Sequence, residues 1–161
     1  IECLLNLGNL AQAANCDHLE IIVKPALLNV CNIEIPATGL QAKFSLRATA
    51  CFAMMRLDTA NPLTYNDDVV QTQALRALIQ RVSVVTDDDL TSTQSRVKLT
   101  TISGDVHETF SDMGIAIADI ELQQSRLDAK YRSLAGNKID SEFMLTRLAS
   151  LETLPAILGT F

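Results

Sequence analysis

The stretch SRVKLTTISGDVHETF, residues 95–110, decides the fold. Val97 and Leu99 alternate with Arg96 and Lys98. A period of two puts the apolar pair on one face and the cations on the other, which is the pattern of a half-buried strand. Ser103-Gly104-Asp105 is a turn signal, and VHETF at 106–110 is the return strand. Two strands joined this tightly pair antiparallel. Alternation also points His107 away from the side that carries Val106 and Phe110.

Working outward, RVSVV at 81–85 is a further strand, separated from the hairpin by the polar loop DDDLTSTQ at 87–94. Upstream, LEIIVK at 19–24 reads as a strand ended by Pro25, and ALLNVCN at 26–32 as a helical turn. Helices are expected over 1–15, 45–57, 67–80, 120–135 and 141–153. Gly8 weakens the first by about 1 kcal/mol relative to Ala. Asn66, Asp119 and Asp140 are N-cap residues for the last three, and Gly136 and Pro155 are stop signals. Leu122, Leu127, Tyr131 and Leu134 form the apolar stripe of the helix at 120–135. Helices interspersed with a close-packed hairpin imply an α+β fold. Its small antiparallel sheet carries helices mainly on one face.

The chain has 161 residues, a length that suits one domain. At that size about 70% of the unfolded surface is buried, enough for a proper core. Apolar residues make up 48% and charged residues 20%, so global disorder is excluded. Aromatics are 4% with no Trp, and the net charge is −6. Both argue against nucleic acid, whose binding needs cations for phosphate and aromatic platforms for bases. No apolar run is long enough for a signal peptide or a membrane span. Cys3, Cys16, Cys31 and Cys51 form no CxxC pair, and the two histidines add no zinc spacing. They read as reduced thiols of a cytoplasmic protein. The sequence opens at Ile1, already inside an apolar periodic segment. The expectation is therefore a single α+β domain, 1–161, cut from a longer polypeptide.

Few residues offer chemistry. His18 sits at a helix-to-strand corner and His107 mid-strand, and both read as structural. No Ser-His-Asp or Cys-His constellation can be proposed from spacing. Asp67-Asp68 and Asp87-Asp88-Asp89 lack the alternating ligands of a calcium loop, so no metal is expected. The glycines form no phosphate-cradling motif.

The run GLQAKFSLRATACFAMM, residues 39–55, is the exception. Lys43 and Arg47 stand four apart at the front of a nearly uncharged segment. In a helix they would share a face. Cations in a first turn oppose the macrodipole by about 0.3–1 kcal/mol each. Ser45 is one N-cap candidate, and Thr38 with Gln41 fits a capping box, so two helix starts compete. A cationic helix start suits an anion, and Arg suits a carboxylate through bidentate pairing. The plainer reading is that both cations pair with surface acids or lie along a seam between domains or subunits.

At these residues a resemblance appears. ATGLQAKFSLRATACFAMM (37–55) resembles the A-K-F-S-L-P-Y signature of the MmgE/PrpD family. HLEIIVKP (18–25), NPLTYNDDVVQTQALRALIQRVSVVTDDD (61–89) and SRVKLTTISGDVHE (95–108) follow the family in order. RLDAKYRSLAG (126–136) is similar to its L-x-x-K-F-x-x-L-A element, with Tyr131 in the Phe place. The family includes 2-methylcitrate dehydratase of propionate catabolism, cis-aconitate decarboxylase and iminodisuccinate epimerase. The resemblance implies a small di- or tricarboxylate substrate and no metal or organic cofactor. It also implies a large helical domain with a smaller α+β lid over the cleft, and a homodimer. This chain resembles the lid alone. The large helical domain and most of the catalytic apparatus would lie outside it, so no catalytic residue is assigned here. Lys43, Ser45 and Arg47 are the candidate substrate-binding residues. Two positions depart from the family pattern. Arg47-Ala48 replaces Pro-Tyr, and Val30 stands where the decarboxylase carries Tyr. The competing expectation is a non-catalytic module that binds a partner protein, with segment 48–55 as its apolar face.

Overall fold

A computed structural model describes residues 1–135. The chain divides into two compact units, Ile1–Ala116 and Ile117–Phe161. The first unit is α+β. It contains α1 (Glu2–Leu7), β1 (Cys16–Val23), α2 (Leu28–Cys31), α3 (Gly39–Ala42), α4 (Leu46–Met54), α5 (Asp67–Val70), α6 (Gln73–Ile79), β2 (Val82–Thr86), β3 (Gln94–Thr101) and β4 (Val106–Asp112). The described part of the second unit is one helix, α7 (Ile120–Ala135). The helix expected at 141–153, with its caps Gly136, Asp140 and Pro155, lies outside the described residues.

The sheet has four strands in the order β2-β1-β3-β4. The β3–β4 hairpin forms where the alternation places it, with Val97 opposite Thr109 and Leu99 opposite His107. β1 pairs antiparallel with β3. One pair departs from the expected antiparallel sheet: β1 and β2 run parallel, with Leu19 opposite Val82 and Ile21 opposite Val84. The reason is the connection. Residues 24–81 carry α2 to α6, and a crossover of that kind returns the chain in the same direction.

Register assigns the two faces. Leu19, Ile21, Val23, Val82, Val97 and Leu99 share one face and are buried in the core with Cys3, Leu4, Phe52, Leu75 and Ile79 from the helices. On the opposite face no described side chain is fully buried. That face carries the cross-strand row Glu20, Lys98, Glu108 and an Arg96–Glu108 ion pair of 3.4 Å. Val106 and Phe110 belong to this face and are exposed. His107 therefore lies on the helix side, half-buried.

α4 is the central helix. Ala48, Ala50, Cys51, Phe52, Ala53 and Met54 are all buried, so it is apolar nearly all round. Burying Phe52 alone stabilises the fold by about 1.5–3 kcal/mol. Just past the C-cap of α4, Met55, comes Arg56, a non-glycine residue in the left-handed region (φ 60°). Its guanidinium donates to the Gly8 carbonyl at 2.7 Å.

Other helices are shorter than the periodicity predicts. α1 stops at Gly8 (φ 58°), and a 3-10 turn, Gly8–Leu10, replaces the rest. The expected helix at 67–80 is two helices. Asn66 caps α5 through the Val69 N–H at 3.0 Å, and Thr72 opens a new cap through the Leu75 N–H at 3.4 Å. An N-cap is extended, so Thr72 (ψ 138°) breaks the helix it starts. In α7, Asp119 accepts from the Leu122 N–H as a cap at 3.0 Å. Leu122, Leu127 and Leu134, expected in a core, are exposed. Among the described residues no helix is long and apolar enough to cross a membrane.

Candidate functional site

The two competing helix starts both exist, and together they shape the site. Thr38 caps α3, its Oγ1 accepting from the Gln41 N–H at 3.2 Å. The Gln41 Oε1 reaches back to the Ala37 N–H at 2.7 Å, one residue beyond the cap itself. Ser45 then caps α4, its Oγ accepting from the Ala48 N–H at 3.1 Å. Between them the chain turns a corner, and an isolated bridge ties Ser45 to Asn32. The Ile33 N–H donates to the Phe44 carbonyl at 3.2 Å, which lays the 32–35 segment beside the corner.

The corner separates the two cations. Lys43 is the last residue of the α3 turn, not part of α4, so the four-residue spacing does not put it on one helical face with Arg47. Its ammonium lies 5.6 Å from the centroid of the Tyr65 ring. Tyr65 in turn packs on Phe52 at 5.1 Å and donates its hydroxyl to the Thr59 carbonyl at 3.1 Å. Burial pushes the Tyr65 phenol up, with the Asp58 carboxylate adding to the shift. It therefore stays neutral and serves as a cation–π platform.

Arg47 sits in the first turn of α4 with its side chain only 15% exposed. Its guanidinium donates to Asn32 Oδ1 at 3.2 Å and lies 3.6 Å from Glu34 Oε1. Glu34 is 72% exposed. Ser45 is 1% exposed and its hydroxyl oxygen is committed to the helix, so it positions Arg47 and does not face solvent.

Asp67 completes the frame. Its Oδ1 accepts from the Gly39 N–H at 2.7 Å, joining the first turn of α3 to that of α5. Gly39 is required there, because a Cβ would fall 2.1 Å from the Tyr65 carbonyl oxygen. Around this frame Val30, Ile35, Leu40, Phe44 and Leu63 are exposed. Asn32, Glu34 and Tyr65 are missed by sequence reasoning, since tertiary contact alone brings them to Lys43 and Arg47. No local spacing signals them.

Several of the remaining candidates have structural partners. His18 Nε2 lies 2.9 Å from Ser83 Oγ on the sheet face opposite the core. Asp87 Oδ1 accepts from the Asp89 N–H at 2.9 Å, and the Asp88 carbonyl accepts from Lys24. Among the described residues no group of three His, Cys, Asp or Glu side chains converges as a metal site. All four cysteines are free thiols. Burial pushes the Cys51 and Cys16 thiols up, so neither is a nucleophile. A groove along α6, lined by Ile35, Gln71, Gln73, Arg76, Ala77 and Gln80, contains none of Lys43, Ser45 and Arg47.

The MmgE/PrpD C-terminal domain matches residues 1–149, which takes in the whole of the first unit and α7. The chain belongs to the MmgE/PrpD family. No curated protein matches it at a significant level. The MmgE/PrpD match spans the α3–α4 corner, so Lys43, Ser45 and Arg47 all lie within the family domain. It supports membership of that dehydratase and lyase family and leaves the substrate open.

Proposed function

We propose that this chain is the lid domain of a cofactor-independent lyase or isomerase acting on small di- or tricarboxylates, as 2-methylcitrate dehydratase does. A large helical domain would supply the catalytic groups, and two such subunits would form a homodimer. Chemistry in the whole enzyme would begin with proton abstraction next to a carboxylate, followed by loss of hydroxide or re-protonation. In this chain Arg47 would pair with a substrate carboxylate and Lys43 would add positive potential, while Ser45 fixes the helix that carries Arg47. A cytoplasmic setting fits the four free thiols.

The observation that carries the reading is Arg47 itself. A mostly desolvated guanidinium is held by one neutral amide and one loose carboxylate, at the start of a helix, beside uncovered apolar side chains. Those groups suit the edge of a cleft that closes over an anion. The test is Arg47→Ala in the full-length enzyme, assayed against a panel of hydroxy di- and tricarboxylates. KM should rise about tenfold or more, the size of a lost charge-assisted hydrogen bond. An unchanged KM would remove Arg47 from the site. The 161-residue chain alone should show no turnover.

The second reading, a non-catalytic interaction module, loses the face first considered for it, because Ala48 and Ala50 to Met54 are buried. The exposed Val30, Leu40, Phe44 and Leu63 are what still favour it. The coding sequence upstream of Ile1 discriminates. A large helical domain there supports the enzyme, and an unrelated domain supports the module.

A further inference from the structure

We infer that Glu34 is an internal stand-in for the ligand carboxylate at Arg47, engaging the guanidinium until an anionic ligand displaces it. This rests on the proposed role of Arg47 and adds a competitor to it.

The geometry of the pair is unequal. Arg47 is 15% exposed and Glu34 is 72% exposed. A desolvated guanidinium is unfavourable without an anion. An exposed carboxylate loses little by returning to water. The separation of 3.6 Å is beyond a good charge-assisted hydrogen bond, which falls near 2.7–2.9 Å. Within the second unit, Arg132 holds Asp128 at 2.9 Å, so a close pair is reached elsewhere in the same protein. Asn32, the other partner, is neutral and orients the guanidinium without satisfying its charge. A ligand carboxylate can approach edge-on and make two parallel bonds, which Glu34 does not make.

Two consequences follow. Ligand affinity is set by the difference between two carboxylates competing for one guanidinium, not by Arg47 alone. A neutral ligand gains nothing by displacing Glu34, so the contact discriminates in favour of anions.

The test is calorimetric titration of citrate into the full-length protein, with wild type, Glu34→Gln, Glu34→Ala, Arg47→Ala and the double variant Glu34→Gln/Arg47→Ala. Removing the Glu34 charge should tighten citrate about two- to fivefold, the range of an exposed ion pair. The gain should disappear in the Arg47→Ala background, a coupling that a merely structural role for Glu34 would not produce. If Arg47→Ala weakens citrate while both Glu34 variants leave it unchanged or weaker, the stand-in role is wrong and the anion site remains. If Arg47→Ala leaves citrate affinity unchanged, the anion site and the stand-in fall together. Glu34 is exposed and caps no helix among the described residues, so its variants should melt within a degree or two of wild type.

Discussion

At the scale of single residues, Gly39 shows how little slack the site has. Gly39 has no room for a side chain, and its N–H is held by Asp67. Gly39→Ala should destabilise the protein by about 2 kcal/mol or more, because backbone and not a flexible side chain must move. Urea denaturation measures it, and a loss below 0.5 kcal/mol would show that the α3–α5 junction gives way freely. Asp112, at the end of β4, is an acid-sensitive position. Its carboxyl is held below the usual carboxylate range by hydrogen bonds from the Gln94 side chain, the Gly114 N–H and the Thr93 hydroxyl. A depressed pKa contributes stability that is present above the unfolded value, about 3.9, and is lost as pH falls through the folded one. Asp112→Asn should therefore flatten the fall of Tm below about pH 4 relative to wild type. An acid limb identical in the two proteins would remove Asp112 as a contributor. Arg47 and Ser45 were visible in the sequence as a cation and a cap. Their partners were not, because Asn32 and Glu34 reach Arg47 across a corner that local spacing does not encode.

At the scale of elements, caps carry the local fold. Ser45 is buried, and its hydroxyl is the acceptor for a buried N–H at the start of the central helix. Ser45→Ala should cost about 1–2 kcal/mol in urea denaturation, the upper part of the usual N-cap range. Ser45→Thr should recover much of that loss, because it restores the acceptor, and failure to do so would point to packing as the cause. Cap residues were also where periodicity misled. The sequence reads as one helix over 67–80, yet Thr72 is a cap inside it and splits α5 from α6. In β4, alternation sets His107 on the side opposite Val106 and Phe110, as the structure has it, but does not say which side is covered. Register with β3 puts Val106 and Phe110 on the face opposite the core and His107 on the core side. The hairpin itself was legible because its signal is local, alternation plus a Gly-Asp turn.

At the scale of the whole molecule, the α+β class follows from the hairpin, and the parallel pair does not. Pairing β1 with β2 depends on how residues 24–81 cross the sheet, and nothing in either strand states its direction. The first unit is held by one core, and three of its four cysteines are sealed within it: Cys3 at 1%, Cys16 at 0% and Cys51 at 0% exposure. Cys31 is half-buried at the end of α2. Mild alkylation of the native protein should label Cys31 alone, with the other three reacting only at the rate of unfolding. Peptide mass mapping reads this directly. Early labelling of Cys51 would mean that α4 opens locally and is not the centre of a single cooperative core.

The position of β1 has a consequence for how the protein is made. It is an interior strand, bonded on one side to β2 and on the other to β3. Both partners follow it by dozens of residues, whereas β3 and β4 are adjacent and need only a short turn. During synthesis at about 5–20 residues per second, β1 leaves the ribosome seconds before either neighbour exists. Its apolar side chains, Leu19, Ile21 and Val23, then have only the helices to shelter them. The hairpin forms last in time but first in loop entropy, and β1 is seated when the late-made half of the sheet closes over the early-made half. The nascent chain thus exposes a strand that is interior in the finished sheet, and a chaperone binding site would be sought at residues 18–24.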